Sequence, residues 1–277
     1  MKQKIIMDSA GDIKELPGID FSCIPLTIHA GDQVFVDNTP AAAEEMVDYL
    51  KTYHGTTSSA CPSVGEYMEA FGDADEVYCL TITSQLSGSY NSAMAAAGEF
   101  MEAHPDRKIH VFDTLTAGPE MVLLAEKIRE LLQQGISFDG IIDRIKAYQE
   151  KTKLLFSLES LRNLANNGRV PHVVAKAVGI LGIRMLAVAS DEGTIHPVGK
   201  ARGEKKVLPE MLKHLMTMGY NGGKMRIAHC RNESGALALK NALLQQFVDA
   251  DITVSRLGAL CSFYAEEGGL LVGFEAV

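Results

Sequence analysis

The residues best suited to chemistry lie in the stretch Leu80-Thr81-Ile82-Thr83-Ser84-Gln85-Leu86-Ser87-Gly88-Ser89-Tyr90-Asn91-Ser92-Ala93. In it an apolar run over residues 77–82 gives way to hydroxyls and a glycine, and a helix-period segment opens over residues 89–101. Free backbone N–H groups at a helix start, the positive end of the helix dipole and nearby hydroxyls together make a receptor for a carboxylate or phosphate. Gly88 would let an anion approach the backbone closely. A plain cap by Ser87 is the structural alternative, but the hydroxyls outnumber what one cap requires.

A second hydroxyl-rich loop, Thr56-Thr57-Ser58-Ser59-Ala60-Cys61-Pro62-Ser63, precedes another helix. Ser63 with Glu66 has capping-box spacing, which leaves Ser59 unexplained by helix capping. Asp8-Ser9 closes the first strand, where a doubly wound sheet places a ligand-facing loop. Arg169, in the loop Asn166-Asn167-Gly168-Arg169, is placed to neutralise an anion at a domain interface. Arg202, with Lys205 and Lys206, forms a basic stretch that reads as a docking patch or a solvated helix start.

Other chemistries lack their signatures. Gly222-Gly223-Lys224 has neither the earlier glycine nor the following Ser/Thr of a phosphate-binding loop, no G-x-G-x-x-G follows the first strand, and no serine sits in G-x-S-x-G. A serine hydrolase would need Ser87 paired with a base such as His229. The histidines show no metal-ligand spacing, and Cys23, Cys61, Cys79, Cys230 and Cys261 never form a C-x-x-C pair, so buried free thiols and no metal are expected.

These residues must be positioned by alternating elements. Strand patterns at 4–7, 23–28, 34–36, 77–82, 108–112 and 154–157 alternate with helix patterns at 41–51, 63–71, 89–101, 119–134 and 138–150. Such alternation predicts a largely parallel sheet covered on both faces. Beyond about residue 152 the pattern changes to a short helix, an apolar segment at 173–181, a hairpin around Ser190-Asp191-Glu192-Gly193, helices at 204–218 and 233–247, and strands at 225–229, 252–256 and 270–274. The expected fold is two-domain α/β, with a doubly wound, mostly parallel sheet in residues 1–152 and a mixed sheet in residues 153–277.

The 277 residues carry 26 Lys+Arg against 35 Asp+Glu, a formal charge of −9. That balance argues against a nucleic-acid or anionic-membrane binder. The first apolar run, Ile5-Ile6-Met7, is far shorter than a signal-peptide core, and no run approaches a membrane span. A cytoplasmic protein without stable membrane insertion is expected.

Taken together, Asp8-Ser9, Ile24-Pro25-Leu26, Pro62-Ser63, the 86–93 stretch, Asn167-Gly168-Arg169-Val170, and Arg202-Gly203 followed by Lys205-Lys206 resemble the DegV family of bacterial fatty-acid-binding proteins, which includes the lipid-carrier subunits of fatty-acid kinase. The likeness spans essentially the whole chain. It implies a long-chain fatty acid in a buried apolar tunnel between or beside the domains, its carboxylate held by hydroxyls, with no further cofactor. Carried over, the family's Ser-Gly pair lands on Ser87 and Gly88, its loop threonine on Ser59 and its glycine-arginine loop on Gly168 and Arg169. In the kinase system a separate ATP-dependent subunit phosphorylates the bound fatty acid, which makes the stretch at Arg202 the candidate docking surface. The 12 methionines and abundant Leu, Val and Ile suit a tunnel for chains of varying shape.

The chain departs from the family near its C-terminus. Tyr264 stands at the family's histidine, and Glu266-Glu267 replace Gly-Pro. Tyr264 can donate to a carboxylate but does not titrate near neutrality, since an unperturbed tyrosine has a pKa of about 10. The two glutamates add negative charge near the expected anion, which bears on the hand-over to a kinase more than on the lipid pocket. Ala60 also lacks the hydroxyl that follows the loop threonine in the family.

Three readings from different classes remain. One is a non-catalytic lipid carrier with its carboxylate receptor at Ser59, Ser87 and Gly88, supported by Arg169, Tyr264 and Ser9. Another is an enzyme acting on a small phosphorylated or carboxylated metabolite at the same anion site. A regulator acting through partner binding is a third. A deep apolar cavity behind Ser87 would favour the lipid, whereas a polar cleft gathering Asp8, Ser9 and His229 would favour the enzyme.

Overall fold

A computed structural model describes residues 1–176 and 182–276. The early part of the chain builds a four-stranded, all-parallel sheet in the order β2-β1-β6-β7 from β1 (Gln3–Asp8), β2 (Asp20–Ile24), β6 (Glu76–Thr81) and β7 (Lys108–Asp113). Helices α2 (Val64–Phe71) and α3 (Ser89–Ala103) cover one face, and α4 (Pro119–Gln133) and α5 (Phe138–Gln149) the other. The fully buried run of β6 fits a strand covered on both sides. A mixed, six-stranded sheet follows in the order β10-β9-β8-β13-β11-β12, from β8 (Thr152–Leu158), β9 (Ile183–Ala189), β10 (Ile195–Arg202), β11 (Met225–His229), β12 (Ile252–Arg256) and β13 (Leu270–Glu275). Only β11 and β12 run parallel in it. Helices α8 (Glu204–Thr217) and α9 (Glu233–Gln246) pack on one face. α4 lies on the other, so it touches both large sheets and one hydrophobic core runs through both.

The structure departs from the sequence reading at three places. The single strand expected over residues 23–28 is broken at Pro25, which has no N–H to give a ladder. β2 ends at Ile24 in the parallel sheet, and β3 (Thr27–Ala30) begins a separate antiparallel sheet with β4 (Gln33–Val36) and β5 (Thr57–Ala60). β5 lies within what reads as a hydroxyl-rich loop, because an edge strand of Thr, Ser and Ala has no apolar alternation to reveal it. Residues 259–265, not anticipated as an element, form helix α10 (Ala259–Ala265). Of the apolar segment at 173–181, only α7 (His172–Lys176) is described, and residues 177–181 lie outside the described residues. The remaining elements are α1 (Pro40–Thr52) and α6 (Arg162–Asn166). Among the described residues no helix is long and apolar enough to cross a membrane.

The start of α4 packs directly on β13 of the mixed sheet. A Cβ built on Gly273 of β13 would lie 2.3 Å from the Glu120 backbone nitrogen and 2.6 Å from the Pro119 carbonyl carbon. These are backbone atoms that cannot swing aside. Gly273→Ala is therefore expected to lower stability by about 2 kcal/mol or more, read as a shift in the urea-unfolding midpoint. An unchanged midpoint would show that α4 can slide.

Candidate functional site

Between the parallel sheet, α10 and the β8–β9–β10 face lies a cavity with about 810 Å³ of atom-free space including its mouth, of which about 100 Å³ admits the centre of a water molecule. Leu26, Ile82, Leu154, Phe156, Leu158, Leu164, Ile195, Leu260 and Leu271 supply most of the wall, with Ser59, Ser87, Arg169 and Tyr264 its polar members at one place. The wall draws on residues on both sides of position 152.

Chain segments distant in sequence meet at these four side chains. The Tyr264 Oη and Ser59 Oγ lie 2.7 Å apart. One of this pair donates to the other, which leaves a single O–H to donate elsewhere. Ser87 Oγ accepts from the Ser89 N–H at 3.2 Å, so its own proton is also available. Arg169 donates through Nε to the Leu86 carbonyl (3.1 Å) and through Nη1 to the Asn167 carbonyl (2.6 Å), and its guanidinium stands 5.7 Å from the centre of the Tyr264 ring. Its Nη2 has no hydrogen-bond partner among the described residues. Two hydroxyl protons and one guanidinium nitrogen are a donor set for a carboxylate. Burial raises the Tyr264 pKa further above its ordinary value, so this side chain stays a neutral donor.

Elsewhere the wall hides its polar groups. Thr83 Oγ1 donates to the Gly193 carbonyl (2.9 Å), Thr116 Oγ1 to Glu120 Oε2 (2.6 Å) and Cys261 Sγ to the Ala10 carbonyl (3.3 Å), while Thr194 Oγ1 pairs with Ser190 Oγ at 2.9 Å. What these residues leave for a ligand is methyl and methylene surface. Past the β9–β10 turn lies a wider and wetter cleft, lined by Asp113, Glu120, Lys146, Lys153 and Asp191 among others, in which about 610 Å³ admits the centre of a water molecule. A Lys153–Asp191 ion pair (3.0 Å) holds the turn at that side.

The other residues singled out from sequence lie elsewhere. Gly88 is the residue preceding α3, outside the wall, and a Cβ there would sit 3.1 Å from Cys61 Sγ, so its smallness serves that close approach. Ser9 is fully buried and accepts from the Leu26 N–H at 2.9 Å, which fixes the chain after Pro25. Arg202 is exposed at the end of β10, away from the cavity. His229 accepts from the Asn232 N–H and lines a small separate cavity with Glu44 and Arg256, so Ser87 and His229 belong to different cavities. Glu266 and Glu267 do not add free charge at the mouth. Ser160 and Arg162 hold Glu266 at 2.7 and 3.1 Å, and Lys51 pairs with Glu267 at 2.8 Å. Ser63 and Glu66 form the expected capping box, and all five cysteines are free, with Cys23 and Cys61 only half-buried. Sequence reasoning missed Thr116, Thr194 and Asn163: the two threonines bond to residues four positions away, while Asn163 meets Phe263 a hundred residues on.

Comparison with known proteins places this geometry in context. A family model for the DegV family, described as uncharacterised proteins, matches residues 2–276. A DegV domain-containing protein of Streptococcus pneumoniae strain R6 is 44% identical over 279 residues, 99% of each chain. The crystal structure of the S. pneumoniae fatty acid kinase (Fak) B3 protein loaded with linoleic acid is similar with a TM-score of 0.98 and 44% identity, covering 100% of both chains. A DegV family protein from Eubacterium eligens loaded with heptadecanoic acid is similar with a TM-score of 0.97 and 42% identity over 99% of this chain and 100% of that one.

Buried carboxyls hold the site's scaffold. Asp37 accepts from the N–H groups of Ala259 (2.8 Å) and Leu260 (3.1 Å) and from Lys14 Nζ (3.1 Å), and Asp12 accepts from the Gly258 N–H (2.7 Å), so the start of α10 is held from the far end of the chain. Burial, reinforced by Asp37, pushes Asp12 up to about 8, and burial pushes Asp8 and Glu120 up to about 7. Each holds a proton when folded that it releases when unfolded, so its contribution to stability is full below about pH 4 and is lost as pH rises through the folded value. His110 and His229, lowered by burial, act in the opposite direction near neutrality, so the informative quantity is a difference. Asp12→Asn is expected to gain stability relative to the unsubstituted protein between pH 5 and 8, by more than about 1.4 kcal/mol, in urea unfolding across that range. A difference independent of pH would show that Asp12 does not hold a proton there.

Proposed function

The chain belongs to the DegV family, and on that premise we propose that it is a lipid-binding protein holding one long-chain fatty acid, with the acyl chain in the apolar cavity and the carboxylate at Ser59, Ser87 and Tyr264. The observation that carries this reading is the asymmetry of the wall. Its polar donors are gathered at one place, and its other hydroxyls are turned onto protein acceptors. An amphiphile with one anionic head and a long apolar tail matches that pattern. Arg169 adds a cation to the head-group end, and the first-turn N–H groups of α3, unpartnered within their own helix, add to its positive potential. The fatty-acid-loaded relatives in S. pneumoniae and E. eligens support the same reading.

The carrier role we propose is non-catalytic, cytoplasmic and free of any cofactor beyond the bound lipid. The two domains we assign, residues 1–152 and 153–277, both contribute to the wall. A separate ATP-dependent fatty-acid kinase subunit is the proposed partner, with the exposed stretch at Arg202, Lys205 and Lys206 as its docking surface. The kinase name of the S. pneumoniae relative supports this assignment. The pairing of Glu266 and Glu267 within the protein leaves the head-group end open to such a partner.

Ser87→Ala removes one hydroxyl donor to a carboxylate, a loss on the order of 1.5–3 kcal/mol. The expected outcome is a fatty-acid affinity lower by roughly ten- to a hundredfold in a fluorescent-fatty-acid displacement titration, with a thermal midpoint within about 2 °C of the unsubstituted protein. Unchanged affinity would remove Ser87 from the site.

A further inference from the structure

Asn163 is buried in α6 and does not touch the cavity. Its Nδ2 donates to the Phe263 carbonyl at 2.7 Å, one residue before Tyr264. Its own carbonyl accepts from Asn167 Nδ2 at 2.9 Å, the Asn167 carbonyl accepts from Arg169 Nη1 at 2.6 Å, and Arg169 Nε donates to the Leu86 carbonyl, one residue before Ser87. With the Ser59–Tyr264 pair at the other end, these bonds form one arc that begins at Ser59, passes through α10, α6 and Arg169, and ends beside Ser87. Glu266 Oε1 steadies the Asn163 N–H from the end of α10 at 3.4 Å.

Such an arc matters because the hydroxyl donors come from residues 59, 87 and 264, on three separate segments. A two-oxygen anion is bound well only when the donor spacing is already set, and a displacement of about 1 Å costs much of the interaction. The Asn163 side chain holds the helix of Tyr264 at the Phe263 carbonyl, and its backbone carbonyl receives the Asn167 side chain, next to the Arg169 link. We propose that Asn163 is a positioning residue of the head-group receptor, setting the distance between the Ser59–Tyr264 pair and Ser87 and so the residence time of the bound acyl carboxylate. The proposal rests on the fatty-acid reading of the cavity. If Asn163 served only to satisfy the Phe263 carbonyl, its loss would lower stability without any coupling to Arg169.

The test is a stopped-flow measurement of dissociation of a fluorescent long-chain fatty acid from the full chain and from Asn163→Ala, Asn167→Ala, Arg169→Ala and the Asn163→Ala/Arg169→Ala pair. Asn167→Ala breaks the same arc at a half-buried position and keeps the test open should Asn163→Ala fail to fold. Dissociation about tenfold faster in each single variant, with the double variant no faster than Arg169→Ala alone, is the expected result. Unchanged rates in folded variants, or effects that multiply, overturn the proposal. If the unsubstituted protein takes up no fatty acid, the lipid reading itself falls. Hydrogen exchange on the empty protein then decides the arc, where faster exchange over residues 84–90 in Asn167→Ala supports it and identical exchange overturns it.

Discussion

An apolar cavity in a protein interior can exist only if the polar groups of its own wall are satisfied by something other than the ligand. An unpartnered buried donor or acceptor costs on the order of 1–3 kcal/mol, and a few of them would favour a wet cleft or a collapsed one. Here Thr83, Thr116, Thr194 and Cys261 meet this constraint by bonding to protein partners at Gly193, Glu120, Ser190 and Ala10. The Glu120 carboxyl that receives Thr116 is itself tied to Thr152 at 2.7 Å, which links the wall to the first residue of β8. What remains exposed to the cavity is hydrocarbon, except where Ser59, Ser87, Tyr264 and Arg169 meet. The chemical polarity of the proposed ligand is thus mirrored in the hydrogen-bond bookkeeping of the wall.

The same constraint shapes the scaffold. A seven-residue helix such as α10 is unstable alone, yet it carries Tyr264 and, at Leu260 and Cys261, part of the wall. It is held at its start by Asp12 and Asp37, more than 200 residues earlier in the chain, and at its end by Glu266 against Ser160 and Arg162. Asp12 adopts a left-handed backbone conformation (φ 61°), a strain for a non-glycine residue that places its carboxyl group on Gly258. Neither part of the chain supplies the polar side chains of the cavity alone, because Ser59 and Ser87 come from one side of residue 152 and Arg169 and Tyr264 from the other.

Elements with a strong internal period were legible in the sequence. The fully buried β6 and the capped helix α2 stand where apolar spacing and the Ser63–Glu66 box put them. β5 and α10 were not, since one is an edge strand of small polar residues and the other is capped by residues far away in sequence. The hydroxyls of Ser59 and Ser87 stood out because they exceeded what local capping needs, and they do face one cavity. Gly88 stood out as a glycine at a helix start and Ser9 as the end of the first strand; a Cβ at Gly88 would lie 3.1 Å from Cys61 Sγ, and Ser9 Oγ accepts from the Leu26 N–H. Asn163 left no local signal for its bond to Phe263, because that partner, a hundred residues on, is brought to it only by the tertiary fold. The charge at Glu266 and Glu267 was visible, but its neutralisation by Arg162 and Lys51 was not.

The most direct test of the central claim is native mass spectrometry of the freshly purified protein, followed by denaturing extraction and identification of whatever is released. A single adduct with the mass of a long-chain fatty acid, lost on denaturation and recovered in the extract, is the predicted result. A protein that arrives empty and takes up no added fatty acid would contradict the account and return the anion site to a small carboxylated or phosphorylated metabolite.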